Sequence, residues 1–260
     1  MAYDIAVSGS DVYVVGHILS DAIIWKNGIV TKLNRNALPA KARGVALNGS
    51  DVYISGEDYN SSRVVYWKNG LTTALGSLVG KDPTRGNYIG VYGYDMAVTG
   101  NDVYVVGDTA QKAIYWKNGI GTMLSANNAY GTATAIVLSN KDVYISGVED
   151  GNAVYWKNGV KTVLSTQNSG AYGIAVSGND VYVAGNDSSD PVYWKNGVKT
   201  ILPGGSPLGS AHANAIAIDG ADVHVVGSTG VPVYWKNGIL TVLPGANGAS
   251  AASAIKIVRY

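Results

Sequence analysis

The sequence predicts an all-β chain of six four-stranded antiparallel blades, the six-bladed β-propeller class, with an extra C-terminal strand engaged in closure. Three observations carry this. Tryptophan recurs at Trp25, Trp67, Trp116, Trp156, Trp194 and Trp235, at spacings of 42, 49, 40, 38 and 41. A second motif keeps step: "DVYVVG" at 11–16, with variants at 51–56, 102–107, 142–147, 180–185 and 222–227. Each tryptophan is followed by Lys-Asn-Gly. The units run approximately 1–33, 34–75, 76–124, 125–164, 165–202 and 203–243, with a closing strand in 244–260, all within one domain.

Each unit holds four short runs of strand-forming residues. In the fifth they are A ("GIAV", 173–176), B ("DVYVAG", 180–185), C ("PVYW", 191–194) and D ("VKTIL", 198–202). Runs of four to six residues rich in Val, Ile, Tyr and Trp suit strands. Ser-Gly-Asn joins A to B, and Asn-Gly joins C to D. Asn-Gly is a strong hairpin signal, because both of its residues tolerate positive φ. In C, Tyr and Trp are adjacent, so they point to opposite faces and toward opposite neighbouring blades. A tryptophan buries about 150–250 Å², so this series is expected to hold blade to blade. Ala6, Ala46, Ala97, Ala175 and Ala217 give the A runs one small-residue face, which lets blades crowd together. "AIKIV" at 254–258 reads as a seventh A-like strand.

Composition excludes several classes. The chain has 260 residues, 47% hydrophobic, with a formal net charge of +1. Nothing in that balance favours nucleic acid. No run of 18 apolar residues predicts membrane insertion. Met1-Ala2-Tyr3-Asp4 does not read as a signal peptide; a secreted or cell-surface location with its signal removed stays open. With no cysteine, disulfides, thiolate nucleophiles and cysteine metal sites are excluded. The three histidines are His17, His212 and His224. None pairs at metal-ligand spacing, so neither metal nor cofactor is expected. His224 replaces the repeat's tyrosine and is expected in the core. A monomer is expected.

The layout "GIAVSGNDVYVAG" at 173–185 resembles the NHL-type β-propeller repeat, with an apolar strand, a Gly-containing turn and a second apolar strand. The likeness covers nearly the whole chain. The "YWKNG" ending departs from that family and is similar to repeats of bacterial propellers of unassigned role. The resemblance implies a fold and carries over no catalytic residue.

Meandering blades place their turns on two rims. The A–B and C–D turns are nearly constant from copy to copy. There Lys26, Lys68, Lys117, Lys157, Lys195 and Lys236 are expected to pair with Asp11, Asp51, Asp102, Asp142, Asp180 and Asp222, so the charges cancel blade by blade. The B–C loops (17–21, 57–62, 108–112, 186–190) and the D–A loops vary. Divergent loops on a fixed scaffold are where binding usually resides. Acids gather in the first set (Asp21, Glu57, Asp58, Asp108, Glu149, Asp150, Asp187, Asp190) and bases in the second (Arg35, Lys41, Lys81, Arg85).

The start of each A strand is expected to line a channel mouth. Tyr3, Arg43, Tyr94, Thr134, Tyr172 and Asn214 stand there, with Asp95 beside Tyr94 and His212 before Asn214. Tyr3, Arg43, Tyr94, Asp95, Thr134, Tyr172, His212 and Asn214 are therefore the candidate ligand-binding residues. Tyrosine faces, a guanidinium and amides suit a glycan or a peptide segment. The competing reading is that the tyrosines wedge between blades, sharing a strand face with core Ile. The expected function is a non-enzymatic binding propeller. The alternatives are a hydrolase or lyase using mouth carboxylates such as Asp4 and Asp95, or His212, and a structural scaffold.

Overall fold

In the computed structural model the described residues are 1–33, 39–59, 63–75, 90–126, 129–166, 168–205, 211–244 and 251–258. They form six four-stranded antiparallel sheets and no helix. Blade one holds β1 (Ala2–Ser8), β2 (Asp11–Ile18), β3 (Asp21–Lys26) and β4 (Ile29–Lys32). Blade two holds β5 (Ala40–Asn48), β6 (Asp51–Asp58), β7 (Arg63–Lys68) and β8 (Leu71–Ala74). Blade three holds β9 (Val91–Thr99), β10 (Asp102–Thr109), β11 (Lys112–Lys117) and β12 (Ile120–Met123). Blade four holds β13 (Gly131–Ser139), β14 (Asp142–Glu149), β15 (Asn152–Lys157) and β16 (Val160–Ser165). Blade five holds β17 (Ser169–Ser177), β18 (Asp180–Asp187), β19 (Asp190–Lys195) and β20 (Val198–Ile201). Blade six holds β21 (Ala211–Asp219), β22 (Asp222–Thr229), β23 (Pro232–Lys236) and β24 (Ile239–Val242). Each blade is a meander in chain order. The chain divides into two compact units, Met1–Ala133 and Thr134–Tyr260.

Asn-Gly does what its chemistry predicts. Asn118 has φ 50° and Gly119 φ 83°, and the other five copies match within a few degrees. The asparagine also ties the turn to strand B: Asn118 Oδ1 accepts from the Val103 amide at 2.9 Å, and Nδ2 donates to Asp102 at 2.8 Å. The adjoining lysine reaches the same aspartate, Lys117 to Asp102 at 2.7 Å, and lies over the Tyr104 ring at 5.2 Å. All six blades repeat this ion pair at 2.7–2.9 Å. Hydrogen bonds from Lys and Asn hold these aspartates below the usual carboxylate range. Each of the six lysines that follow the tryptophans thus has its counter-charge.

Between the turns, tryptophan faces one neighbour and tyrosine the other. In the first unit Trp67 packs with Ala6, Val15 and Ala22 of blade one, and Trp116 with Tyr53, Val64 and Leu75 of blade two, while Tyr66 packs toward blade three. In the second unit Trp194 and Trp235 repeat the scheme with Ala153 and Ala184. Trp67, Trp116, Trp156, Trp194 and Trp235 are fully buried, whereas Trp25 is half-buried. Of the predicted small-residue face, Ala6, Ala46 and Ala175 pack on these clusters, but Ala42, Ala171 and Ala213 are buried more deeply.

The structure corrects several sequence expectations. The A strands run to nine residues and the B strands to eight. The glycine that closes each B motif is therefore not a strand end. The ladder continues past it, through Glu57↔Val64 and Asp108↔Ala113, to tight turns such as Ala110-Gln111, with φ 51° and 62°. His17, Glu57, Asp58, Asp108, Glu149 and Asp187 accordingly belong to strands, not to B–C loops. Residues 254–258 are not assigned as a strand. Their segment is tied to blade six by the Ala252 amide, which donates to the Gly227 carbonyl at 3.1 Å. His224 is half-buried rather than core, its Nδ1 2.6 Å from the Tyr234 hydroxyl. Arg35, Lys81 and Arg85 lie outside the described residues.

Candidate functional site

The A strands are not regular where the candidate residues stand. Ala42 pairs with Gly56 and Gly44 with Ser55, so Arg43 has no partner across the ladder. The same register shift isolates Tyr3, Tyr94, Tyr172 and Asn214. Each is the extra residue of a β-bulge, a device that re-aims a side chain. The opposing B-strand glycine makes the bulge possible: a Cβ on Gly56 would overlap the Lys41 carbonyl oxygen, and one on Gly107 that of Tyr92. The recurrent glycine of "DVYVVG" is a bulge partner.

The bulge also overturns the expectation that these side chains share a face with the core aliphatics. Val45 lies opposite Ile54, while Lys41 lies opposite Glu57 on the other face. Without a bulge Arg43 would follow Val45 into the core. Instead its Nε donates to Glu57 at 2.9 and 3.2 Å. Tyr172 does the same in blade five, its hydroxyl donating to Asn186 at 2.7 Å.

In the first unit three bulges converge. The Arg43 guanidinium lies 4.8 Å from the Tyr3 ring and 5.3 Å from the Tyr94 ring. Tyr3 stacks on His17 at 5.5 Å and Tyr94 on Tyr92 at 5.9 Å. One chain of contacts, His17–Tyr3–Arg43–Tyr94–Tyr92, thus crosses three blades. Two buried carboxyls are bonded to it, Glu57 at 1% and Asp108 at 6% exposure. Burial pushes Glu57 up to about 7, against the pull of Arg43. Burial likewise raises Asp108 to about 6, although Tyr94 and Thr132 bond to it. Burial, then Asp108, drives the Tyr94 hydroxyl upward. Burial, then neighbouring positive charge including Lys41 and Arg43, keeps His17 below its usual range. The cluster is two acids that titrate near neutrality beside a guanidinium that stays charged.

Other candidates are already engaged. Asp4 accepts from the Ile5 and Val45 amides, both at 2.8 Å, and fastens β1 to β5. Asp95 accepts from the Met96 amide at 2.7 Å. In the second unit Thr134 bonds to the Ala171 carbonyl at 2.7 Å, and Asn214 donates to the Ala252 carbonyl at 2.9 Å. His212 meets Tyr172 edge-on at 6.2 Å. All eight candidates are half-buried. Several acids of the variable rim carry their own lysines: Asp21 with Lys32, Glu149 with Lys161, and Asp187 with Lys199. Among the described residues no group of acids and histidines could hold a metal ion, and no helix is long and apolar enough to cross a membrane. Sequence reasoning missed Glu57, Asp108 and His17 as site residues. The signal was there: each directly follows the B-strand glycine.

No family model and no curated protein matches the chain. Solved structures do. The WD40 β-propeller domain of Doa1 is 16% identical with a TM-score of 0.63, covering 98% of this chain and 86% of that one. The computationally designed Ika8 protein is 14% identical with a TM-score of 0.54, covering 99% and 91%. At such identity the likeness speaks for the fold alone: a β-propeller, here with six four-stranded blades.

Proposed function

We propose that the chain is a non-enzymatic binding module, monomeric, that holds a glycan or a protein segment on its variable side. The contacts fall on Tyr3, Arg43 and Tyr94 of the first unit; Tyr172 and His212 of the second unit are a separate candidate set. The observation that carries this reading is the convergence of three bulges on one guanidinium. Bulges cost ladder bonds, and a scaffold that needed only stability would gain nothing from aiming Arg43 away from the core. Propeller folds commonly serve binding, which agrees with the reading. The likeness of the repeat to NHL-type propellers is part of the same proposal. A glycan and peptide array tests it. Wild-type protein should capture a ligand class that Arg43→Lys captures more weakly, while Lys117→Ala on the constant rim captures it equally. Arrays with no binder would count decisively against it.

A hydrolase or lyase reading has one specific support, the pair of buried acids that titrate near neutrality. Turnover that is lost in both Glu57→Gln and Asp108→Asn would replace the binding reading with it.

A further inference from the structure

Arg43 has more hydrogen-bonding capacity than its surroundings use. Its Nε is committed to Glu57. Its two Nη groups have no hydrogen-bond partner among the described residues, although the side chain is only 17% exposed. The Tyr3 hydroxyl is likewise unbonded among the described residues, and His17 Nδ1 is buried without a partner. A half-buried guanidinium held by ring contacts on two neighbouring blades cannot easily swing out to find water. Its outer edge is a fixed fork of donors, and such a fork matches the two oxygens of a carboxylate.

We propose that this edge of Arg43 is the docking point for the carboxylate of an acidic sugar, a uronate unit within a glycan; the inference rests on the binding-module reading above. Lys41, on the same strand and 5.6 Å from the Tyr59 ring, adds a second cation to that side. A sugar suits the surroundings better than a peptide for two reasons. The hydroxyls next to a uronate carboxylate fall within a few ångström of it, and Tyr3, whose ring lies 4.8 Å from the guanidinium, brings a hydroxyl to that neighbourhood. A peptide is usually bound by adding a strand to a regular edge, and the bulges at Tyr3, Arg43 and Tyr94 break the A strands at this place.

The test titrates the full chain at pH 6 with trigalacturonate, maltotriose and triglutamate. Trigalacturonate should bind at least about tenfold more tightly than the other two, and Arg43→Lys should lose at least about tenfold, because lysine cannot offer the fork. As a check that needs no variant, the nitrogen-15 resonances of the Arg43 guanidinium should shift with trigalacturonate and not with maltotriose. Equal binding by Arg43→Lys, equal or tighter binding of maltotriose or triglutamate, or unmoved Arg43 resonances on binding would overturn the uronate assignment. Those outcomes leave the binding module standing. Failure of glycan and peptide arrays to find any binder removes both.

Discussion

Glu57 makes the stability of this fold depend on pH in a direction that most carboxylates do not. Its ordinary value of 4.5 rises to about 7 in the fold, because burial outweighs the attraction of Arg43. The native state therefore keeps a proton that the unfolded chain releases, so the contribution is whole below pH 4.5 and is lost as pH rises through 7. At about 1.4 kcal/mol for each tenfold in proton affinity, the fold should be about 3 kcal/mol less stable at pH 8 than at pH 4 from this residue. Asp108, raised from 3.8 to about 6, adds a loss of the same sign that is complete at lower pH. His17, held below its usual 6.5, acts in the opposite sense. Glu57→Gln isolates the first effect, because it leaves Asp108 and His17 in place. Urea unfolding at pH 5, 6, 7 and 8, followed by tryptophan fluorescence, should show wild type losing about 2–3 kcal/mol more than the variant over that range. Parallel pH curves, or wild type gaining relative to the variant as pH rises, would refute the burial argument.

Gly107→Ala should destabilise by more than about 3 kcal/mol, since the new methyl overlaps the Tyr92 carbonyl oxygen and such backbone clashes belong to the severe class; a thermal melt within a few degrees of wild type would show the bulge to be adaptable. Asn118→Ala should cost about 1–3 kcal/mol through positive-φ strain and two lost hydrogen bonds, and Asn118→Gly should lose less, because glycine removes the strain; denaturant midpoints in the reverse order would contradict this. Trp194→Ala should cost about 3–5 kcal/mol for a side chain with no exposure, read by the same melts. Uronate affinity should increase as pH falls from 8 to 6, because protonation of Glu57 and Asp108 leaves the charges of Arg43 and Lys41 less compensated. His17, stacked on Tyr3 and held below its usual range, can only gain positive charge over the same fall in pH, so a calorimetric titration showing weaker binding at pH 6 would contradict the charge account.

The repeat was the most legible feature of the sequence, and the reason is geometric. Trp, Asn-Gly and Asp-x-Tyr each have one physical task per blade, so the same residues return wherever the task does. Asn118 shows how much one residue can carry: its backbone makes the turn while its side chain caps Val103 and Asp102. The rim ion pairs were legible because antiparallel pairing of B with C places Lys117 beside Asp102. The strand ends were not. Gly56 and Gly107 looked like terminators, since glycine does not distinguish a turn from a close backbone approach by its identity alone. That misreading turned strand residues into loop residues and hid Glu57 and Asp108 from the site. Ala110 and Gln111 hid the turn itself, for they carry no Asn-Gly signature yet adopt positive φ. Of the candidate side chains, Tyr3, Arg43 and Tyr94 were found from their place before each "IAV"-like run. Their partners one strand away could not be found without the register.

The most direct test compares the two rims with one ligand. A glycan identified by array should be titrated calorimetrically against wild type, Arg43→Lys and Lys117→Ala. The bulge account predicts that Arg43→Lys loses at least about tenfold in affinity while Lys117→Ala matches wild type. Unchanged binding by Arg43→Lys together with loss in Lys117→Ala would move the working surface to the constant rim and contradict the account.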